Sequence, residues 1–253
     1  MRVHGMLFSS TVSAAILLWA AAPASAQTAT AAPTAPAHRG FVEGGLAYGY
    51  GMSNSQFIEV NNGTRLDSPR NGGPAIDVAG GYAIVPNLAI FGDLQYASDS
   101  TITGRNQDGD TEQFSDSYTS LGIGLRATVP LGSGEVYAQM ALGMVFPFEI
   151  ERDEHFANGE SRVTTIGYNS GLGGRGEMGY HYALNERMYL AGGVRLQAFA
   201  TDNVGKERIR KDFPSGQVER DVFTTNPGGG NNRQAEALSV QDMRLRIGFG
   251  YRF

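Results

Sequence analysis

Past residue 26 the chain holds three histidines, His38, His155 and His181, and it has no cysteine anywhere. Nucleophilic acyl transfer needs a hydroxyl, an imidazole base within hydrogen-bond reach and an acid to orient it, so these three positions bound where such chemistry could sit. His155 stands beside Asp153 and Glu154. A second cluster, Asp108, Asp110, Glu112 and Asp116 in NQDGDTEQFSD, sets carboxylates at alternating positions as a calcium loop does. The sixth and twelfth places, where such a loop needs glycine and glutamate, are Gln113 and Thr119. The third set is scattered: Glu43, Asp77, Asp93 and Glu177 as acids, Arg126, Arg175, Arg195, Arg244 and Arg246 as bases, each alone in a run of apolar or small residues. Isolated charges of both signs in apolar surroundings must pair with one another once the chain folds.

The runs that carry those charges alternate with a period of two, which is the period of an extended strand with two unlike faces. In FVEGGLAYGY, Val42, Leu46, Tyr48 and Tyr50 oppose Glu43, Gly45, Ala47 and Gly49. Ile76, Val78, Tyr82 and Ile84 oppose Asp77, Ala79, Gly81 and Ala83; Leu88, Ile90, Leu94 and Tyr96 oppose Ala89, Phe91, Asp93 and Gln95; Leu121, Ile123, Leu125 and Val129 oppose Gly122, Gly124, Arg126 and Thr128. A fifth run sets Val136, Ala138, Met140, Leu142, Met144, Phe146 and Phe148 against Tyr137, Gln139, Ala141 and Gly143. In the sixth, Ile166, Tyr168, Leu172 and Met178 oppose Asn169, Arg175 and Glu177; in the seventh, Met188, Leu190, Val194 and Leu196 oppose Tyr189, Ala191, Arg195 and Gln197. The eighth, MRLRIGFGYRF, places Met243, Leu245, Ile247, Phe249, Tyr251 and Phe253 opposite Arg244, Arg246, Gly248, Gly250 and Arg252.

Residues 1–26 combine a basic start at Arg2, an apolar run from Thr11 to Ala22 and an A-x-A ending at Ala26, the pattern of a secretory signal peptide. Residues 27–39 begin QTATAAPTAPAH and form an Ala/Thr/Pro-rich tether in the periplasm. Removing the leader leaves 19 basic against 25 acidic residues, a formal charge of −6. A mildly acidic chain lacks the concentrated basic face that nucleic-acid binding needs. The missing cysteines exclude disulfides, thiolate metal sites and a lipidated N-terminal cysteine. Residues 40–253 are long enough for one domain.

The connections between the eight runs alternate short and long. Short ones fall near Val85–Asn87, Pro130–Gly134 and Tyr180–Glu186, long ones over Gly51–Gly73, Ser98–Ser117, Glu151–Arg162 and Thr201–Ser239. This predicts an all-β fold: an eight-stranded antiparallel up-and-down transmembrane β-barrel with short periplasmic turns and four longer extracellular loops. A soluble sandwich would put Lys, Glu, Thr and Ser opposite the apolar face; here that face is mostly Gly and Ala with single charges, which suits a narrow lumen. Threading the chain this way also yields two aromatic girdles, Tyr48, Tyr50, Tyr96, Phe146, Phe148 and Tyr168 outside and Tyr82, Tyr180, Tyr182, Tyr251 and Phe253 inside. The charged stretch Lys206–Phe213 and Gln217–Phe223 around Pro214-Ser215-Gly216 is expected as a hairpin above the membrane, with basic residues facing acidic ones. Asn158-Gly159 is expected to turn another between Phe156 and Val163.

The chain's ending resembles the closing strand of small outer-membrane barrels of the OmpA, OmpX and OmpW type. Arg246, Gly248, Tyr251 and Phe253 match the polar residue, glycine and two aromatics that the barrel-assembly machinery reads as an insertion signal in such proteins. The resemblance implies a bacterial outer membrane, with its lipids and lipopolysaccharide as the surroundings.

From this threading the nine lumen charges should form one hydrogen-bonded network, with Glu43, Arg126, Arg175 and Glu177 toward the periplasmic end and Asp93, Arg195 and Arg246 near the middle. An eight-stranded lumen is filled by its own side chains, so the network is expected to plug the barrel. The function expected is structural or surface-interacting, and the chain is expected to be a monomer without catalytic residues, cofactor or metal. The alternative is a narrow channel for ions or for small hydrophobic solutes, which the likeness to the OmpW type implies. A lipid-modifying enzyme is the third reading, with histidines poorly placed for it: His38 in the tether, His181 in a periplasmic turn and His155 at a solvated hairpin tip.

Overall fold

The computed structural model describes residues 39–51, 54–57, 66–69, 72–103, 111–224 and 237–253. The leader, the tether through His38, and Asp108 and Asp110 lie outside the described residues. Thirteen strands follow in order: β1 (Gly40–Gly51), β2 (Asn54–Phe57), β3 (Leu66–Pro69), β4 (Pro74–Val85), β5 (Leu88–Thr103), β6 (Thr111–Leu131), β7 (Gly134–Val145), β8 (Phe148–His155), β9 (Ser161–Tyr168), β10 (Gly171–Ala183), β11 (Met188–Asp212), β12 (Val218–Thr224) and β13 (Ala237–Arg252).

Eight of them, β1, β4, β5, β6, β7, β10, β11 and β13, pair antiparallel in that order. β13 then returns to β1 from Phe41↔Arg252 to Gly51↔Asp242, so the sheet closes on itself. Gly40 and Phe253 exchange two backbone hydrogen bonds of 2.9 Å at the seam. A closed sheet leaves no unpaired edge, the condition for crossing a bilayer with strands. The turns at one end are short: Pro86-Asn87, Gly132-Ser133, and Leu184–Arg187, the last organised by the Asn185 carboxamide oxygen, which accepts from the backbone N–H of Arg187 and Met188.

The alternation sorts the faces inside out. Leu142 and Leu172 are 77% and 74% exposed on the outer wall, while Arg195 and Arg244 are 1% and 0% exposed within. Exposed apolar residues recur on all eight barrel strands, including Leu46, Ile76, Leu94, Ile123, Leu142, Leu172, Val194 and Ile247. A continuous belt of this kind has no place against water; against hydrocarbon it is the stable arrangement.

The fifth and sixth runs are not single strands. β7 stops at Val145, Phe146 still donates its backbone N–H to the Thr119 carbonyl of β6 at 2.9 Å, Pro147 leaves the ladder, and β8 takes β7's place along β6. β9 and β10 are likewise separated by Asn169-Ser170. The two breaks face each other, between the pairs Gly171↔Val145 and Phe148↔Tyr168. Proline cannot donate to a ladder, and each break takes up one residue, which reverses the alternation beyond it. Phe148 and Tyr168, expected in the outer girdle, are therefore turned inward at 6% exposure. Tyr48, Tyr50, Tyr96 and Phe146 remain on the outside.

Much of what was expected as outer loop is strand. β5 and β6 pair as far as Thr103↔Glu112, β8 and β9 form a hairpin between β6 and β11, and β12 folds back on β11 over Lys206↔Thr224 to Asp212↔Val218. The barrel wall thus rises past the belt as an extension. Gly159 (φ +83°) and Gly216 (φ +82°) make the two hairpin tips, a backbone region that glycine enters without penalty. Basic does not uniformly face acidic across β11 and β12: Lys211 faces Glu219, but Arg210 faces Arg220.

Candidate functional site: the luminal charge network

Because inward positions recur every second residue, each barrel strand delivers a column of side chains into the lumen, and the register sets which columns meet. All nine charges singled out from the sequence lie inside, none more than 5% exposed. They connect in three tiers.

The periplasmic tier is built around Glu43 on β1. Arg126 from β6 donates to it at 3.0 Å, Tyr189 from β11 at 2.9 Å and Arg246 from β13 at 2.5 Å. Arg126 also donates to Gln139 at 2.7 Å and lies over the Phe41 ring, 4.3 Å from its centre. Below Glu43 sits His181, stacked on Tyr137 (4.2 Å) and tilted against Tyr189 (4.4 Å), with Nδ1 2.9 Å from Glu135, which also pairs with Arg252. His181 is thus a lumen residue of β10, 2% exposed, and not part of a turn; β10 runs on through Ala183, into the expected turn.

In the middle tier Arg246 holds Asp77 through Nε at 2.9 Å and Nη2 at 2.6 Å. Glu177 accepts from Arg195 (2.6 Å), Tyr137 (2.5 Å) and Gln139 (3.1 Å). Arg175 donates to Asp93 at 2.6 Å and to Gln95 and Ser120 at 3.3 Å. Arg175 and Glu177 therefore lie at mid-depth, not toward the periplasmic end: Glu177 is level with Arg195 and Arg175 with Gln197. β10 continues to Ala183, so both residues lie further from the periplasmic turn than a strand ending near Tyr180 would place them.

The outer tier centres on Arg244. It donates to Asp99 (3.2 Å), Asp242 (2.8 Å), the Tyr118 hydroxyl (3.0 Å) and the Gly73 carbonyl (3.2 Å), and Gln197 ties Tyr118 to Asp242. Next to it an apolar cluster of Val145, Phe148, Ile150, Tyr168 and Phe199 packs inside the outer end of the barrel, Phe148 stacked on Tyr168 at 5.3 Å.

Sequence reasoning missed Asp99, Tyr118 and Asp242, although parity reaches all three. Asp99 continues Asp93, Gln95 and Ala97; Tyr118 precedes Ser120 and Gly122; Asp242 precedes Arg244. His181 was equally reachable as Arg175 plus six. Glycines give the network its room: a Cβ at Gly250 would lie 2.0 Å from Tyr189 Cζ, and one at Gly122 would lie 2.4 Å from Asp93 Oδ1. Of the four residues matched to an insertion signal, Arg246 is in the network, Gly248 is buried, Tyr251 is half-buried and Phe253 is exposed. His155 stands exposed at the end of β8. Of the acidic-loop carboxylates, Glu112 and Asp116 lie on β6. Among the described residues no group of three or more acids, histidines or cysteines is arranged to hold a metal.

The fold is shared with outer membrane protein OprG from Pseudomonas aeruginosa, at TM-score 0.50 and 16% identity over 86% of this chain and 97% of that one. A major outer membrane protein from Thermus thermophilus aligns at TM-score 0.47 and 14% identity, over 86% of this chain and all of the other. Escherichia coli outer membrane protein W aligns at 0.33 and 14%, over 87% of this chain and all of the other. No protein-family model matches the sequence, and no curated protein matches it. The likeness to OprG gives the fold, a closed antiparallel β-barrel; the apolar belt requires a bilayer on its own account.

Proposed function

We propose that the protein is a closed-lumen outer-membrane barrel with a structural or surface-interacting role, its charge network acting as a plug that fixes strand register. The observation that carries this is the direction of the hydrogen bonds, which tie opposite walls together. Tyr118 on β6 donates to Asp242 on β13, Arg195 on β11 to Gln95 on β5, and Arg175 on β10 to Asp93 on β5. Opening an ion path would require several such ties to part at once, and a buried charge left without its partner costs several kcal/mol. Planar-bilayer recording tests this. Wild-type protein should give no discrete conductance steps, and steps that change in Arg195→Ala or Asp93→Ala would overturn the plug.

The apolar cluster inside the outer end of the barrel supports a second reading, in which a small hydrophobic solute enters from outside as far as Arg244. Loss of hydrophobic-solute uptake in a deletion strain would favour it; unchanged uptake would sink it. We read the chain as non-catalytic, since His181 is engaged by Glu135 and His155 projects from a hairpin beyond the belt; an altered lipid A acylation profile on deletion would contradict this. Arg246, Gly248, Tyr251 and Phe253 are assigned to recognition by the barrel-assembly machinery, and the barrel to a monomeric state among outer-membrane lipids.

A further inference from the structure

The outer face of the extension carries charge of both signs. On β8, Ile150 points inward, buried, and Glu149 and Glu151 are exposed on the outer side, with Asp153 half-buried; on β9, Thr164 is buried and Val163 and Thr165 are half-buried at the alternate positions. Register carries that outer face across the sheet, Asp153↔Val163↔Arg210 and Glu151↔Thr165↔Arg208, and on to β12, where Arg220 faces Arg210. Arg208 is paired with Glu149. Arg210 reaches Asp212, two residues along its own strand, at 3.1 Å, with its side chain 53% exposed. Arg220 is exposed directly opposite. Like charges at facing positions, with Cβ atoms ~5 Å apart, destabilise a ladder, and two guanidinium forks at that spacing fit the oxygens of one phosphate group.

Height decides which phosphate. Phe146 marks the top of the apolar belt, and Asp153, level with Arg210 through Val163, lies seven residues beyond it. At ~3.3 Å per residue and a strand tilt of ~40°, that is roughly 18 Å above the hydrocarbon edge. Acyl chains do not reach this level; the phosphorylated saccharide of lipopolysaccharide does.

We infer that Arg210 and Arg220, with Arg208 beside them, form a phosphate-binding surface for the phosphorylated saccharide of lipopolysaccharide molecules packed around the barrel. This rests on the outer-membrane placement above but not on the plug: conductance in the wild type would overturn the plug and leave this surface intact.

The test uses the full chain in detergent micelles, with the heat-dependent gel shift confirming that each variant is folded. Binding is measured to phosphorylated lipopolysaccharide and to the same material after dephosphorylation. Two charge-assisted hydrogen bonds lost should weaken binding about tenfold or more in R210Q/R220Q. Arg187→Gln, at the opposite end of the barrel, should bind as wild type does, and dephosphorylated material should bind wild type no better than the variant. R210K/R220K, which keeps the charge and loses the fork, should fall between. If the double glutamine variant does not fold, Arg220→Gln alone carries the test with a smaller loss. Equal binding by wild type and R210Q/R220Q would overturn the inference, as would equal binding before and after dephosphorylation. So would Arg210-dependent capture of a soluble sulfated oligosaccharide with no binding of lipopolysaccharide.

Discussion

Arg246→Ala should be among the most damaging single substitutions in the barrel. Arg246 meets Asp77 through two nitrogens, Glu43 at 2.5 Å, and Glu177 at 3.6 Å, all four side chains having 0% exposure. Removing it does not strand the three carboxylates equally. Glu43 keeps Arg126 and the Tyr189 hydroxyl, and Glu177 keeps Arg195, but Asp77 is left with Arg195 at 3.6 Å. The loss is therefore that of one buried ion pair broken from one side, about 3–5 kcal/mol. Arg252→Ala gives the contrast. Its partner is Glu135 at the rim, with side chains 28% and 21% exposed, so its loss should stay near 1 kcal/mol or below, on the order of an exposed pair. Urea titration of folding into lipid vesicles, followed by heat-dependent gel mobility, measures both. Combining Arg246→Ala with Asp77→Asn should return about 1–3 kcal/mol as coupling, because the stranded charge is gone. An Arg246→Ala loss no larger than that of Arg252→Ala would refute the view that these pairs are buried and mutually dependent.

Three further outcomes follow from the geometry. Gly250→Val should cost about 1–3 kcal/mol by overpacking, since its Cβ would collide with the Tyr189 ring; the same urea titration checks it, and a neutral result would contradict the placement of Tyr189. Ile247→Arg, midway along the belt of β13, should cost about 2–4 kcal/mol of folding into vesicles, whereas Thr165→Arg on the extension should change little. With no native cysteine to interfere, Phe146→Cys should react with a thiol reagent dissolved in the bilayer and Phe148→Cys should not; equal labelling would deny the reversal of alternation at Pro147.

The barrel is legible because a closed sheet forces a strict period of two over every membrane-crossing strand, and that same parity puts nine charges in the lumen before any contact is known. What escapes is set by departures from the period. Pro147 and the Asn169-Ser170 step each absorb one residue, and neither break can be placed until the facing strand is known, so Phe148 and Tyr168 resemble girdle residues; the depth expected for Arg175 comes out too low because β10 continues past Tyr180 to Ala183. The two hairpins of the outer extension are legible from their turn residues, Asn158-Gly159 and Pro214-Ser215-Gly216, but the continuation of β5 and β6 to Thr103↔Glu112 reads as loop: above the hydrocarbon, water replaces lipid and the apolar signal that marks a membrane strand is lost. Partnering is illegible altogether. That Arg244 meets Asp99 depends on how β5 and β13 are set across the lumen from each other, which no single strand encodes.

The central claim is that lipid covers the apolar face. Trp19 is the chain's single tryptophan, so in a variant that begins at Gln27 a tryptophan placed in the barrel can be followed alone. In bilayers of bromine-labelled lipid, Leu142→Trp and Ile247→Trp should be strongly quenched and Val163→Trp, on the extension, should not. Unquenched emission from Leu142→Trp and Ile247→Trp, at the level of Val163→Trp, would contradict the account.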